Sequence, residues 1–139
     1  MVNYTLNWYG NQSRKDVLNM FIKNGAKAGI HLQKEITKEL TKVGTGKTYK
    51  ISKTGADHIA SAPGEPPAVL TGHLSKSVMV EKDNENVYVG VKGVPYAKRL
   101  EFGFFGRDSL GRLYVQEPRP FFLSTFNREL ENIKRIMKE

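Results

Sequence analysis

Few residues of this sequence combine the types and spacing that catalysis or ligand binding requires. The segment Gly44–Thr48 resembles the end of a phosphate-binding loop, but that loop needs a further glycine at the position of Thr41. It also needs a strand before it and a helix after it. Here a helix is predicted before Gly44 and a proline-rich stretch follows, so we interpret the segment as a basic turn.

The other groups that could do acid–base or metal chemistry are isolated. The histidines show no metal-ligand spacing, and no nucleophile-elbow motif occurs. Glu101 lies in an aromatic segment, where it could be an acid catalyst, but we expect a structural ion pair with Arg99, Arg107 or Arg119. The sequence has no cysteine for a disulfide or a thiolate site. It therefore predicts a protein that is not an enzyme and that uses no cofactor or metal ion.

Basic residues are the strongest compositional signal. Lysine and arginine number 22 against 14 acidic residues, a net charge of +8. Residues 1–60 carry +6 of this and residues 61–139 carry +2. On a helix, four lysines would cluster within roughly 60° of one another, opposite an apolar stripe; they are Lys23, Lys27, Lys34 and Lys38. This face either is simply solvated or contacts a phosphate backbone or an acidic protein surface.

Two helices must position these groups. Asn3–Tyr9 alternates as a strand does, and Ser13 is expected to cap a helix over Arg14–Lys42 that Gly44 terminates in a left-handed conformation. Its apolar stripe includes two glycines that would let another element come close; the stripe comprises Leu18, Ile22, Gly25, Gly29, Leu32, Ile36, Leu40 and Val43. A second amphipathic helix is predicted from the spacing of Phe122, Phe126, Leu130, Ile133 and Met137.

Between the helices the sequence predicts an arm and an antiparallel sheet. Residues 44–73 are rich in turn formers and proline, which favours an extended loop or arm. Strands are expected at Leu74–Glu81, Val87–Lys92 and Leu113–Val115, with one helical turn in Pro95–Gly103 and a loop at Phe104–Arg112. We therefore predict a single α+β domain over 1–139, with both helices packed on the sheet. No apolar run is long enough to span a membrane, and no secretory signal opens the sequence.

Three segments in this order resemble a phage family. Residues 61–77 resemble its APG-x-PP…TG-x-L-x-x-S signature, Tyr96–Gly103 its Y…EFG segment, and Arg119–Phe122 the start of its last helix. The family is the HK-ninety-seven gene-product-ten-like group of head–tail joining, or tail-completion, proteins of tailed bacteriophages and prophages. The resemblance covers nearly the whole chain, although residues 104–112 form an insert that is often shorter in the family.

This resemblance implies a structural virion protein that forms a ring in the neck, around the channel through which DNA passes. It would be made in the host cytoplasm and would contact its own copies and neighbouring neck and tail proteins. Any contact with the DNA would be non-specific, and no membrane is involved. The insert would contact a neighbouring copy. The subunit-interface residues carried over are Pro63, Gly64, Pro67, Thr71 and Gly72 in the arm, and Glu101, Phe102, Gly103, Arg119, Pro120 and Phe121 in an opposing corner.

Two other functions remain open at this point. The chain could be a small basic module that binds nucleic acid without sequence preference through its four lysines. An enzyme such as a nuclease is the least favoured. For the ring we expect the arm to lie on a sister copy, because a proline-rich segment that cannot satisfy its own backbone groups must stay hydrated or find a partner.

Overall fold

A computed structural model describes residues 3, 5 and 9–139 of the chain. The α+β class is confirmed, with a long N-terminal and a C-terminal helix packed against antiparallel strands. In this described part the strands form three separate two-stranded ladders instead of one sheet. The strand predicted at 3–9 lies mostly outside the described residues. The elements are α1 (Gly10–Glu39), β1 (Thr48–Lys50), β2 (Asp57–Ile59), α2 (His73–Lys76), β3 (Val78–Lys82), β4 (Val87–Val91), α3 (Ala97–Phe102), β5 (Phe104–Arg107), β6 (Leu113–Gln116) and α4 (Leu123–Met137).

Helix α1 begins four residues earlier than predicted and ends three residues earlier. The Ser13 N–H donates to the Tyr9 carbonyl at 2.9 Å, so Ser13 lies inside the first turn and does not cap it. Gly44 is not left-handed either. A Cβ at Gly44 would lie 2.2 Å from the carbonyl oxygen of Ala60, so glycine is required there by close backbone contact, not by helix termination.

The core includes the second half of α1. Valine side chains pack against the two glycines of the apolar stripe: a Cβ at Gly25 would lie 3.1 Å from Val87, and one at Gly29 would lie 2.9 Å from Val80. The β3–β4 hairpin therefore packs closely on α1, as the glycines indicated. Val43, at the end of the predicted stripe, is exposed. The buried cluster comprises Leu32, Ile36, Leu40, Leu74, Val78, Val94 and Phe121.

Two predicted segments differ in the structure. The first part of the strand expected at Leu74–Glu81 is the short helix α2, because the Ser75 and Ser77 hydroxyls donate to the carbonyls of Gly72 and His73 and favour a helical turn. The loop expected at 104–112 begins with strand β5, which pairs with β6 to form a hairpin. The helical turn predicted in Pro95–Gly103 is confirmed as α3.

Candidate functional site

Glu101 caps helix α4 from a distance in sequence. Its carboxylate accepts the backbone N–H groups of Phe121 (2.9 Å), Phe122 (3.0 Å) and Leu123 (2.8 Å). No side chain at the start of α4 caps the helix. The buried Glu101 carboxylate therefore accepts the backbone N–H groups that have no partner within the helix. The expected ion pair with an arginine is wrong. The physical reason is that the positive end of the helix and its free N–H groups already stabilise the negative charge.

Arg119 connects the arm to the segment that precedes α4. Its guanidinium Nη1 donates to the Ser61 carbonyl at 2.7 Å and also to the Ser61 hydroxyl, and Ser61 is buried. The Arg119 backbone N–H donates to the Leu100 carbonyl at 2.6 Å, and the Gly64 N–H donates to the Pro118 carbonyl at 3.1 Å. We call Ser61, Leu100, Glu101, Arg119 and Phe121 the junction.

The residues that flank Glu101 and Arg119 differ sharply in exposure. Phe102 is exposed, whereas Phe121 is buried in the core and Pro120 is half-buried. Gly103 has a φ of 75°, and a Cβ there would lie 2.8 Å from the Gln116 carbonyl oxygen, so the turn into β5 requires glycine. The segments 101–103 and 119–121 thus meet in one corner, in which Phe102 alone points fully to solvent.

The arm satisfies much of its own backbone, contrary to the expectation that it could not. The Gly46 N–H donates to the Ala60 carbonyl at 2.7 Å, and β1 pairs with β2 inside the arm. The Glu65 carboxylate accepts hydrogen bonds from the Thr45 hydroxyl and from the N–H groups of Ala62 and Thr45, which lower its pKa. The reason is that Gly44 and Gly46, which have no side chain, let the backbone approach Ala60 closely. The arm is therefore fixed on its own chain up to residue 65, and further along the Val69 N–H donates to the Lys42 carbonyl at 3.5 Å.

The rest of the arm stands over an open groove. Pro63 and Thr71 are exposed and Pro67 is half-buried, while Gly72 takes a left-handed φ of 70° at the start of α2. Val69 and Leu70 expose apolar side chains. The groove has a volume of about 470 Å³, and its lining includes Leu40, Ser61, Pro67, Leu74, Tyr96 and Arg119. This arrangement presents a fixed, partly apolar edge with a recess beneath it.

The four lysines predicted to share a face are all exposed on α1. Two of them have acidic neighbours: Lys27 Nζ lies 3.6 Å from Glu139, and Lys38 Nζ lies 3.8 Å from Glu35. These pairs reduce the field that a polyanion would meet. Lys23 and Lys34 belong to the same helix face, outside the junction and the arm.

The sequence did not predict the hydrogen bonds and ion pairs that join α1 to α4. His31 is half-buried, and its Nε2 atom lies 2.9 Å from the carboxylate of Glu129. Arg128 donates to Glu39 at 2.6 Å. Burial raises the pKa of Glu39, but hydrogen bonds from Lys42 and Arg128 outweigh it and the pKa falls below its usual value. One sequence signal could have predicted these contacts. It is the spacing of acidic residues along one face of α1, together with a basic residue in α4.

In the described residues, no group of three or more histidines and carboxylates is placed to hold a metal ion. None of the helices there is long and apolar enough to cross a membrane. No family model, curated protein or solved structure matches this chain. The candidate site is the junction together with the arm and groove beside it, which form a partly apolar edge next to an open recess.

Proposed function

We propose that the protein is a structural subunit of the neck of a tailed bacteriophage or prophage, in which identical copies form a ring that joins head to tail. The observation that carries this proposal is the contact of Arg119 with Ser61, because it brings together two of the segments that carry the family resemblance. Glu101, from the remaining segment, Tyr96–Gly103, lies in the same junction. Residues far apart in sequence thus cooperate to hold one exposed arm.

A fixed arm is suited to repeated subunit contacts. Association costs less when the binding segment is already ordered, because less conformational entropy is lost on docking. Gly64 is hydrogen-bonded to the body, and beyond it Val69 and Leu70 remain exposed. The expectation that the arm lies on a sister copy is thus changed in one respect. The arm would bind as an ordered edge of its own subunit and not as a flexible segment.

Assembly is the test of this function. The full chain, alone and mixed with the neck proteins encoded beside it, should give closed rings by native mass spectrometry and electron microscopy. Leu70→Asp should abolish them, because a carboxylate would be buried without a partner at the contact. The matched control is Ile30→Asp, which changes an equally exposed side chain outside residues 44–73. A wild-type chain that stays monomeric with all neck partners would overturn the proposal.

A second candidate function is non-specific binding of nucleic acid. The exposure of all four lysines along α1 favours it. Replacing these lysines by Gln should then abolish retention on DNA at moderate salt and flatten the salt dependence of binding. Unchanged retention in this variant would reject the lysine face as a nucleic-acid site. The variant's ring formation, measured in parallel, separates this candidate from the first.

A further inference from the structure

The β5–β6 hairpin carries an apolar face that the described chain leaves open. In its register Phe105 pairs with Val115, and Arg107 with Leu113, so these four side chains lie on one face. Phe105 is 77% exposed, Leu113 65% and Val115 62%. Together they present on the order of 400 Å² of apolar surface, within the range of patches that are often functional on soluble monomers. We call these four residues the hairpin face.

The opposite side of the same hairpin contacts α3. The guanidinium carbon of Arg99 lies 4.2 Å from the centre of the Phe104 ring, and the rings of Phe104 and Tyr114 are 6.0 Å apart. The first contact joins the hairpin to α3, and the second lies within the hairpin itself. The hairpin face is therefore the side of the hairpin that these contacts leave open.

A second apolar surface lies elsewhere on the chain. A groove of about 450 Å³ runs between α1, β4 and α4, and its lining includes Phe21, Ile22, Val87, Phe126, Ile133 and Met137. We call it the helix groove. It extends to the C-terminal end of α4, whereas the hairpin directly precedes the N-terminal end. A helix of 15 residues is about 22 Å long, so the far end of this groove is well separated from the hairpin face.

We propose that the hairpin face of one copy docks into the helix groove of the next copy. The apolar hairpin face can cover the apolar groove, and two different surfaces on one chain give a head-to-tail contact that can close into a ring. The charges agree, because Arg107 lies on the hairpin face and Glu85 lines the groove. This inference rests on the proposed ring and names the contact that builds it. The hairpin face, with on the order of 400 Å², supplies about half of the ~800 Å² that each partner buries in a stable interface. The exposed edge of the arm lies beside the other side of the hairpin, with Tyr114 and Gln116, and would be a separate contact in the ring.

Cysteine cross-linking tests the contact directly, because the natural chain has no cysteine. One preparation carries Phe105→Cys and another carries Phe21→Cys, and a short bis-maleimide is added to each and to their mixture. Cross-linked dimers are expected only in the mixture. Val43→Cys in place of Phe21→Cys is the control and should give none. Dimers from Phe105→Cys alone would show that hairpins pair with each other, and would overturn the proposal.

A charge exchange tests the same contact without cross-linking. Arg107→Glu and Glu85→Arg should each weaken assembly by about tenfold, and the two together in every copy should restore it. Lys98→Glu, an exposed change on α3, should have no effect. Because Arg107 also donates to the Gly111 carbonyl, mere distortion of the turn would not be rescued by Glu85→Arg.

Three further outcomes decide between this inference and the proposed function. Rings that form equally well in both single charge variants, with no cross-links in the mixture, would overturn the hairpin–groove contact and leave the ring function standing. If Phe21→Cys in the monomer reacts with maleimide only after residues 1–8 are deleted, the groove belongs to the chain's own N-terminal segment and the inference is wrong. Failure of the wild-type chain to assemble under any condition would overturn both.

Discussion

The Nε2 atom of His31 lies 2.9 Å from the Glu129 carboxylate and so joins α1 to α4 across 98 positions of sequence. Asn132 donates to the same carboxylate oxygen at 2.9 Å, and Arg128 donates to the other oxygen at 3.2 Å. Glu129 is buried, so its charge is stable there only because these donors surround it. This contact makes the packing of the two long helices sensitive to pH.

Acid should weaken the fold through Glu129. Hydrogen bonds from Asn132 and His31 lower the pKa of Glu129 from 4.5 to about 2. A carboxyl whose pKa is lower in the folded state contributes stability that is complete above pH ~4.5 and is lost as the pH falls through ~2, here about 2–3 kcal/mol. Urea unfolding at pH 6 and pH 2.5 should show a larger drop for the wild type than for Glu129→Gln. Glu131→Gln, which changes an exposed carboxylate one position away from Asn132, should behave as the wild type.

Removing the remote cap should destabilise α4. Glu101→Ala leaves three backbone N–H groups at a buried helix start without an acceptor, and we expect a loss of about 2–4 kcal/mol in the free energy of unfolding. Glu101→Gln keeps one acceptor oxygen and should lose less. Chemical denaturation followed by circular dichroism measures both, with Glu117→Ala as the exposed control. Equal stability of Glu101→Ala and the wild type would show that the cap is energetically unimportant.

Gly44→Ala should displace the arm. The added methyl group would lie 2.2 Å from the Ala60 carbonyl oxygen, and a backbone atom cannot move away without breaking the β1–β2 region from α1. Limited proteolysis should cut the variant within residues 44–62 faster than the wild type. Gly90→Ala is the matched control, because no atom lies within 4 Å of its added Cβ. Identical cleavage rates for Gly44→Ala and Gly90→Ala would contradict the role assigned to this close contact.

Arg119→Ala should loosen the arm while leaving its hairpin intact. Loss of the guanidinium removes both hydrogen bonds to Ser61. The amide of Gly64 should therefore exchange hydrogen faster, since its bond to the Pro118 carbonyl depends on the same placement of the arm. Amide exchange measured by NMR gives the rates residue by residue. The amide of Gly46, which bonds to Ala60 within the arm, serves as the internal reference and should change little. Unchanged exchange at Gly64 would show that the arm is held without Arg119.

Local sequence signals predicted the helices and the class of fold well. The 3.6-residue spacing of apolar residues located α1 and α4, and the glycines at 25 and 29 indicated close packing before any partner could be named. Alternation of valines over 87–91 located β4. These features could be predicted because each follows from the backbone geometry of a single element, which repeats its exposure pattern over a few residues.

Contacts between distant residues were decided only by the tertiary structure. An acidic residue beside an aromatic one predicts either a catalyst or an ion pair, and only the placement of α4 makes Glu101 a helix cap. The arm looked unable to satisfy its backbone until Gly44 and Gly46 proved to lie against Ala60. Likewise the exposed side of the β5–β6 hairpin follows from where Arg99 covers the other side. In each case the partner lies many residues away, and its distance depends on how every intervening element packs.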